Sequence, residues 1–78
     1  MIEFIVRGRH VKATQEQVRD KLKGIAPEPA RALVVEVDGL TYPVKQAFAV
    51  AFDIDRADFI SHQARSVFQR LGFPVQRI

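Results

Sequence analysis

The 78-residue sequence predicts a small domain of the α+β class, on three observations. Apolar residues alternate along residues 2–6 and again along 33–37, which is typical of strands. Near Val18 and again near Val67, apolar residues recur at helical spacing. An apolar content of 47%, a charged content of 27% and a mean hydropathy of −0.05 fit an ordinary globular chain. The predicted order of elements is approximately β-α-β-β-α-α-β, in one domain over residues 1–78.

Size and composition exclude several classes of protein. A chain this short buries only about 60–65% of its surface, which suffices for one modest core and not for a doubly wound sheet or a barrel. The absence of cysteine excludes a disulfide framework, a thiolate zinc site and a cysteine nucleophile. We find no complete catalytic motif, no secretory signal and no apolar run of membrane-spanning length. We therefore expect a cytoplasmic protein that is not an enzyme, with no cofactor, no metal, no evident small-molecule substrate and no membrane partner.

The N-terminal third predicts one strand and one helix. The strand covers residues 2–6 and ends at Gly8. Thr14 is a candidate N-cap, and Gln17 lies three residues later at the spacing of a capping box. The helix that follows is expected to end near Lys23, just before a glycine.

The middle of the chain predicts a hairpin followed by a buried helix. A strand over residues 33–37 ends in Asp38-Gly39, a dipeptide that favours the positive φ angles of a tight turn. Residues 40–42 are predicted to return antiparallel to the first strand. Pro43 fits the first turn of a helix, where its missing N–H costs nothing. The helix Val44–Phe52 is almost wholly apolar and is therefore expected to be nearly buried.

The C-terminal third predicts an amphipathic helix over Ser61–Leu71, with Ser61 as its N-cap and Gly72 as its C-cap. A short extended segment, Pro74–Ile78, follows the helix. Three aspartates between positions 53 and 58 lack the glycine and distal glutamate of a calcium loop, so we expect them to be connector and cap residues. The core is expected to include Phe48, Phe52, Phe59, Phe68 and Phe73.

The charge distribution and the helix pair together indicate a nucleic-acid partner. The chain carries a formal charge of +3, and residues 59–78 contain three arginines and no acid. A buried helix followed by an amphipathic one, Val44–Phe52 and then Ser61–Leu71, has the elements of a helix-turn-helix. The connector of about eight residues is longer than in a tight helix-turn-helix, and it fits a winged-helix-like variant better.

The exposed face of the second helix supplies the candidate contacts. Arginine can donate two hydrogen bonds to guanine, glutamine can bind adenine in the same way, and backbone amides at a helix start can hold a phosphate. Arg77, in the extended segment that would act as a wing, is a candidate contact to the DNA backbone. The helix contributes Ser61, His62, Gln63, Arg65, Ser66, Gln69 and Arg70.

Four short strings in residues 35–75 resemble a small bacterial domain of largely uncharacterised proteins. They are Tyr42-Pro43-Val44-Lys45-Gln46, Arg56-Ala57-Asp58-Phe59, Ser61-His62-Gln63-Ala64-Arg65 and Arg70-Leu71-Gly72-Phe73. The pattern is similar to actinobacterial domains, and to winged-helix-like accessory modules beside restriction-type nucleases. The resemblance implies a DNA-related context, with DNA favoured over RNA. It also implies a contact role for Lys45 and Gln46, whereas no nuclease motif accompanies the module.

Two other functions remain open on the sequence. A protein-interaction or homo-oligomerisation module is one, because the first strand is apolar on both faces and its edge can pair with a second copy. A small toxin-type ribonuclease is the other, with His10 and His62 as acid and base near neutral pH. The polar helix face is also compatible with simple solvation and no ligand.

Overall fold

The computed structural model describes residues 1–30 and 32–78 and has the mixed α+β fold that the sequence predicts. In this part of the chain the order is β1-β2-α1-β3-β4-α2-α3-β5. The strands are β1 (Ile2–Val6), β2 (Arg9–Ala13), β3 (Leu33–Val37), β4 (Leu40–Pro43) and β5 (Val75–Arg77). The helices are α1 (Gln15–Leu22), α2 (Val44–Phe52) and α3 (Ser61–Leu71), with a short 3₁₀ turn at Arg56–Asp58.

The strand β2 is absent from the predicted order, which is therefore wrong at the N-terminus. Arg7 and Gly8 both have positive φ angles, 52° and 79°, and form a tight turn that reverses the chain. β1 and β2 then pair antiparallel, with Phe4 opposite Val11. Gly8 thus closes a hairpin. The sequence does not predict β2, because only Val11 and Ala13 of its five residues are apolar.

The second sheet has the strand order β4-β3-β5 and is antiparallel throughout. The predicted Asp38-Gly39 turn is confirmed, with φ angles of 50° and 82°. The C-terminal segment is extended as predicted, and it forms β5 at one edge of this sheet, with Val75 opposite Val35. This segment is therefore a strand of the second sheet, as a wing strand would be, and not a free tail.

Two of the predicted helix ends are confirmed. Thr14 is the N-cap of α1, and its hydroxyl accepts a hydrogen bond from the backbone N–H of Gln17 at 3.1 Å. Gly72 is the C-cap of α3, with a φ of 92° that favours glycine. α1 itself ends at Leu22, one residue earlier than predicted.

The N-termini of α2 and α3 each differ from the prediction by one residue. Pro43 precedes α2 as its N-cap and ends β4, with a ψ of 136° that is not helical. Ile60, not Ser61, is the N-cap of α3, because its carbonyl accepts the first N–H of the helix, from Gln63. The Gln63 side chain in turn accepts from the Ile60 N–H at 3.3 Å, so capping here does not need a hydroxyl.

Phe48, which is fully buried, lies at the centre of the core. Its ring lies 4.3 Å from that of Phe59 and 5.4 Å from that of Phe4, between centroids. The five phenylalanines predicted to be core residues are all buried. The core therefore joins the β1–β2 hairpin to α2 and α3, which fixes the position of the hairpin relative to the helices. No helix in the described residues has the length and apolar character needed to cross a membrane.

Candidate nucleic-acid interface

α3 separates cleanly into a buried stripe and a polar face. The stripe that packs on the core consists of Ala64, Val67, Phe68 and Leu71. Ser61 and Arg65 are half-buried at one border of the polar face. The exposed residues are His62, Gln63, Ser66, Gln69 and Arg70. None of the eleven residues of α3 is acidic, so the whole polar face offers only neutral or cationic side chains.

The two borders of this face follow from helical periodicity. Ser61 and Arg65 lie one turn apart on one border, next to Phe68 of the stripe. Gln63 and Arg70 lie on the opposite border, next to Val67. Because the helix rotates 100° per residue, the centre of the face is formed by His62, Ser66 and Gln69.

The β1–β2 hairpin lies along the Arg70 border. At one end of α3, Arg70 Nη2 donates to the backbone carbonyl of Glu3 at 3.2 Å. At the other end, Arg7 Nε lies 3.3 Å from Oδ1 of Asp58, just before α3 begins. β1 therefore runs antiparallel to α3 and is attached near both of its ends. The exposed basic side chains and histidine of the hairpin are Arg7, Arg9, His10 and Lys12.

The sequence interpretation did not assign these hairpin residues to the candidate site. Six of the basic residues lie within positions 1–26, and that excess was the only signal in the sequence. Their place beside α3 depends on the Arg70–Glu3 contact, which joins residues 67 positions apart. A sequence pattern does not show such a contact.

An open groove of about 260 Å³ lies near the Ser61 end of α3. Lys45 and Gln46 of α2 line this groove together with Ser61, so the structure brings these three predicted contacts to one place. The Lys45 ammonium lies 5.7 Å from the centre of the Phe59 ring, a cation–π contact that orients the side chain. Arg56 also lines the groove.

Gln46 differs from the other candidates because its side chain is used inside the protein. It is only 4% exposed. Its Nε2 donates to the Ala26 carbonyl at 2.9 Å, and its Oε1 accepts from the Glu28 N–H at 2.9 Å. The amide thus holds the loop between α1 and β3. Gln46 therefore does not belong to the exposed polar surface around α3.

The acid beside the groove is neutralised by a two-bond ion pair. Arg56 donates to both carboxylate oxygens of Glu28, at 2.9 and 2.6 Å. This hydrogen bonding lowers the pKa of Glu28 below its ordinary value and raises the pKa of Arg56. Glu28 therefore remains an anion matched by a cation, and the groove has little net negative charge.

Arg77 lies apart from the polar face of α3. It is exposed on the edge strand β5, directly opposite Leu33 of β3. Leu33 lines the groove that also contains Lys45. The register therefore places Arg77 one strand away from a residue of the groove, and Arg77 itself does not line it.

The other candidate residues are the two histidines and the aspartates between positions 53 and 58. His10 lies on β2 opposite Ile5, and His62 lies in the first turn of α3; both are exposed. Asp53 ends α2 in the left-handed region, and Asp55 caps the 3₁₀ turn by accepting from the Ala57 N–H at 2.8 Å. Over residues 1–30 and 32–78, no group of three His, Asp or Glu side chains is arranged to hold a metal ion.

The edge of β1, which the sequence suggested for self-association, is partly occupied in the structure. β1 pairs with β2 on one side, and on the other side its Glu3 carbonyl accepts from Arg70. β2 has an open edge that carries Arg9 and Lys12, and apart from the Arg70 contact β1 has no strand neighbour on its other side within the described residues. Self-association through this hairpin stays a prediction.

The fold and the surface define a small α+β domain with one non-acidic helix face between two groups of basic residues. A family model described as SCO5918-like matches residues 5–78. The chain therefore belongs to the SCO5918-like family. This match supports the resemblance to a small domain family, while the link to nuclease-associated modules stays a prediction. Comparison with curated proteins and with solved structures gave no significant match.

Proposed function

We propose that this domain binds nucleic acid, with DNA as the preferred form, through the polar face of α3 and without catalysis. The observation that carries the proposal is the charge of this face. It contains Arg65 and Arg70, no acid, and basic groups at both borders. A polyanion gains from such a surface because each phosphate contact releases bound counterions.

Nearby acids do not cancel this charge. Of the acids bordering α3, Asp58 is paired with Arg7, and Glu3 lies 3.9 Å from the Lys12 ammonium. At the groove, the Glu28 carboxylate is paired with Arg56. Because each of these three anions has its own cation, none of the three offsets the positive potential of Arg65 and Arg70.

The side chains of the face suit both parts of DNA recognition. Arg70 and Gln69 are exposed and can donate to base edges in a major groove. Lys45 and Ser61, at the groove border, suit phosphate oxygens, which position a protein without reading sequence. In this winged-helix-like interpretation, α2 is the buried supporting helix and α3 is the recognition helix.

Charge reversal at Arg65 and Arg70 together is expected to weaken DNA binding at least about a hundredfold at low salt, because two attractive contacts become repulsive. Affinity is measured by fluorescence anisotropy on a labelled duplex, with circular dichroism to confirm the fold. The double variant Ser66→Glu/Gln69→Glu adds two negative charges at the centre of the face without removing the Arg70–Glu3 bond. It is expected to lose a similar amount of affinity.

The matched control is Lys21→Glu/Lys23→Glu. These exposed lysines lie at the end of α1, so the control changes net charge as much as the arginine variant but on a different helix. We expect it to lose less than about a tenth as much affinity, through long-range electrostatics alone. Failure of the native protein to bind duplex DNA at low salt would contradict the proposal, as would equal losses in the control and the α3 variants.

A further inference from the structure

The hairpin beside α3 packs on the same hydrophobic core as the helix. The Phe4 ring of β1 lies 5.4 Å from the Phe48 ring and 5.2 Å from the Phe52 ring, so α2 supports the hairpin from below. The Arg70–Glu3 hydrogen bond and the Arg7–Asp58 ion pair attach β1 near the two ends of α3. Any large ligand that covers the Arg70 border of α3 therefore also meets the hairpin.

The hairpin carries three exposed cations, in its turn and on both faces of β2. Arg7 lies in the turn, Arg9 lies beside it on the same face as Val6, and Lys12 lies on the opposite face, across from Glu3. The single acid of the hairpin is Glu3, whose 3.9 Å pair with Lys12 is exposed on both sides, so Lys12 can exchange this carboxylate for a phosphate. β2 lies one strand spacing, about 4.8 Å, beyond β1 as seen from α3.

These distances match the cross-section of B-form DNA. Its major groove is about 12 Å wide and admits one α-helix, with a sugar–phosphate backbone at each side. With α3 in the groove, a strand pair packed along one side of the helix lies over the adjacent backbone. The long side chains of Arg9 and Lys12, from the two faces of this edge strand, can then reach phosphates, which carry no sequence information but fix the orientation of the protein.

The aromatic residues argue against a single-stranded partner. Proteins that bind single strands stack the bases on exposed aromatic side chains. This chain has six phenylalanines and one tyrosine, and the structure describes all seven. Every one of them is at most 9% exposed: Phe4, Tyr42, Phe48, Phe52, Phe59, Phe68 and Phe73. The interface therefore has no exposed phenylalanine or tyrosine ring on which bases can stack, and the major groove of duplex RNA is too deep and narrow for side chains to read.

We propose that the β1–β2 hairpin is a second contact element, and that it and α3 together bind duplex B-form DNA, with Arg9 and Lys12 on the backbone beside the groove that α3 occupies. This inference rests on the function proposed above and adds the form of the nucleic acid and the role of the hairpin. The hairpin is N-terminal and is separate from the C-terminal segment that the sequence suggested as a wing strand, which belongs to the second sheet.

Anisotropy titrations of the native protein compare three labelled probes of equal length and sequence: duplex DNA, single-stranded DNA and duplex RNA. Duplex DNA is expected to bind at least about tenfold more tightly than either of the others, because only its major groove admits α3. Equal or tighter binding of the single strand or of the RNA overturns the inference.

The hairpin is tested by Arg9→Gln/Lys12→Gln, which removes two cations at exposed positions. The slope of log K against log salt is expected to become shallower by about 1.8, since each phosphate contact contributes about 0.9. Lys21→Gln/Lys23→Gln on α1 is the matched control and is expected to leave the slope unchanged. An unchanged slope in the hairpin variant overturns the inference, and so does an equal change in the control.

The outcomes separate the inference from the function on which it rests. If the α3 charge reversal abolishes binding while the hairpin variant behaves like the native protein, the proposed function stands and the hairpin role is wrong. If the native protein binds none of the three probes, the proposed function and the inference fail together.

Discussion

Replacing Phe48 with alanine is expected to destabilise the domain by about 3–5 kcal/mol, the usual cost of removing a buried aromatic ring. Phe48 is fully buried, and its ring packs against those of Phe4, Phe52 and Phe59. A domain of this length has a total stability of about 4–12 kcal/mol. The substitution therefore removes a large part of that stability.

Urea denaturation followed by circular dichroism measures this effect. Leu40→Ala is the comparison, because Leu40 is 47% exposed in the second hairpin and its loss is expected to cost less than about 1 kcal/mol. A loss below about 1 kcal/mol in Phe48→Ala would show that the hairpin and the helices do not share the core described above.

Replacing Gln46 with leucine is expected to cost about 1–3 kcal/mol of stability, because the Ala26 carbonyl and the Glu28 N–H lose their partner. The leucine keeps a similar size, so the loss reports hydrogen bonds more than packing. The affinity of the folded fraction for duplex DNA is expected to be unchanged, since the Gln46 amide faces the α1–β3 loop. Denaturation and anisotropy on the same samples measure both quantities.

Gln69→Leu is the control, because it is expected to weaken DNA binding and to leave the stability of the domain nearly unchanged. Gln69 is exposed on α3, so this substitution is expected to change stability by less than about 0.5 kcal/mol while weakening DNA binding. If Gln46→Leu instead keeps full stability and loses affinity, then Gln46 is a DNA contact, as the sequence resemblance implied, and its structural role is wrong.

The elements that the sequence predicts well are those with local signals. Asp38-Gly39 predicts its turn because both residues tolerate positive φ angles, and the confirmed turn has them. The α3 stripe is predicted because Ala64 and Leu71 recur with the helical period and are buried. Thr14 is predicted because a hydroxyl before a helix accepts an N–H of the first turn.

The elements that the sequence does not predict depend on tertiary contacts. Arg7-Gly8 is a weak turn signal, and β2 exists because its pairing lets Val11 and Ala13 pack on the core with Phe4. The burial of Gln46 likewise depends on a loop about twenty residues away in sequence, and a glutamine in a helix carries no sign of this. The candidate site was therefore predicted for α3 itself and missed for the hairpin.

The central claim is that α3 and the adjacent hairpin form one DNA-binding surface. Amide NMR spectra of ¹⁵N-labelled protein, titrated with a short DNA duplex, test it most directly. We predict shifts that concentrate in residues 61–70 and 7–12, with little change at 21–24, which end α1, and at 38–40 in the β3–β4 turn. Shifts confined to those latter segments, or no shifts at millimolar duplex and low salt, would contradict the claim.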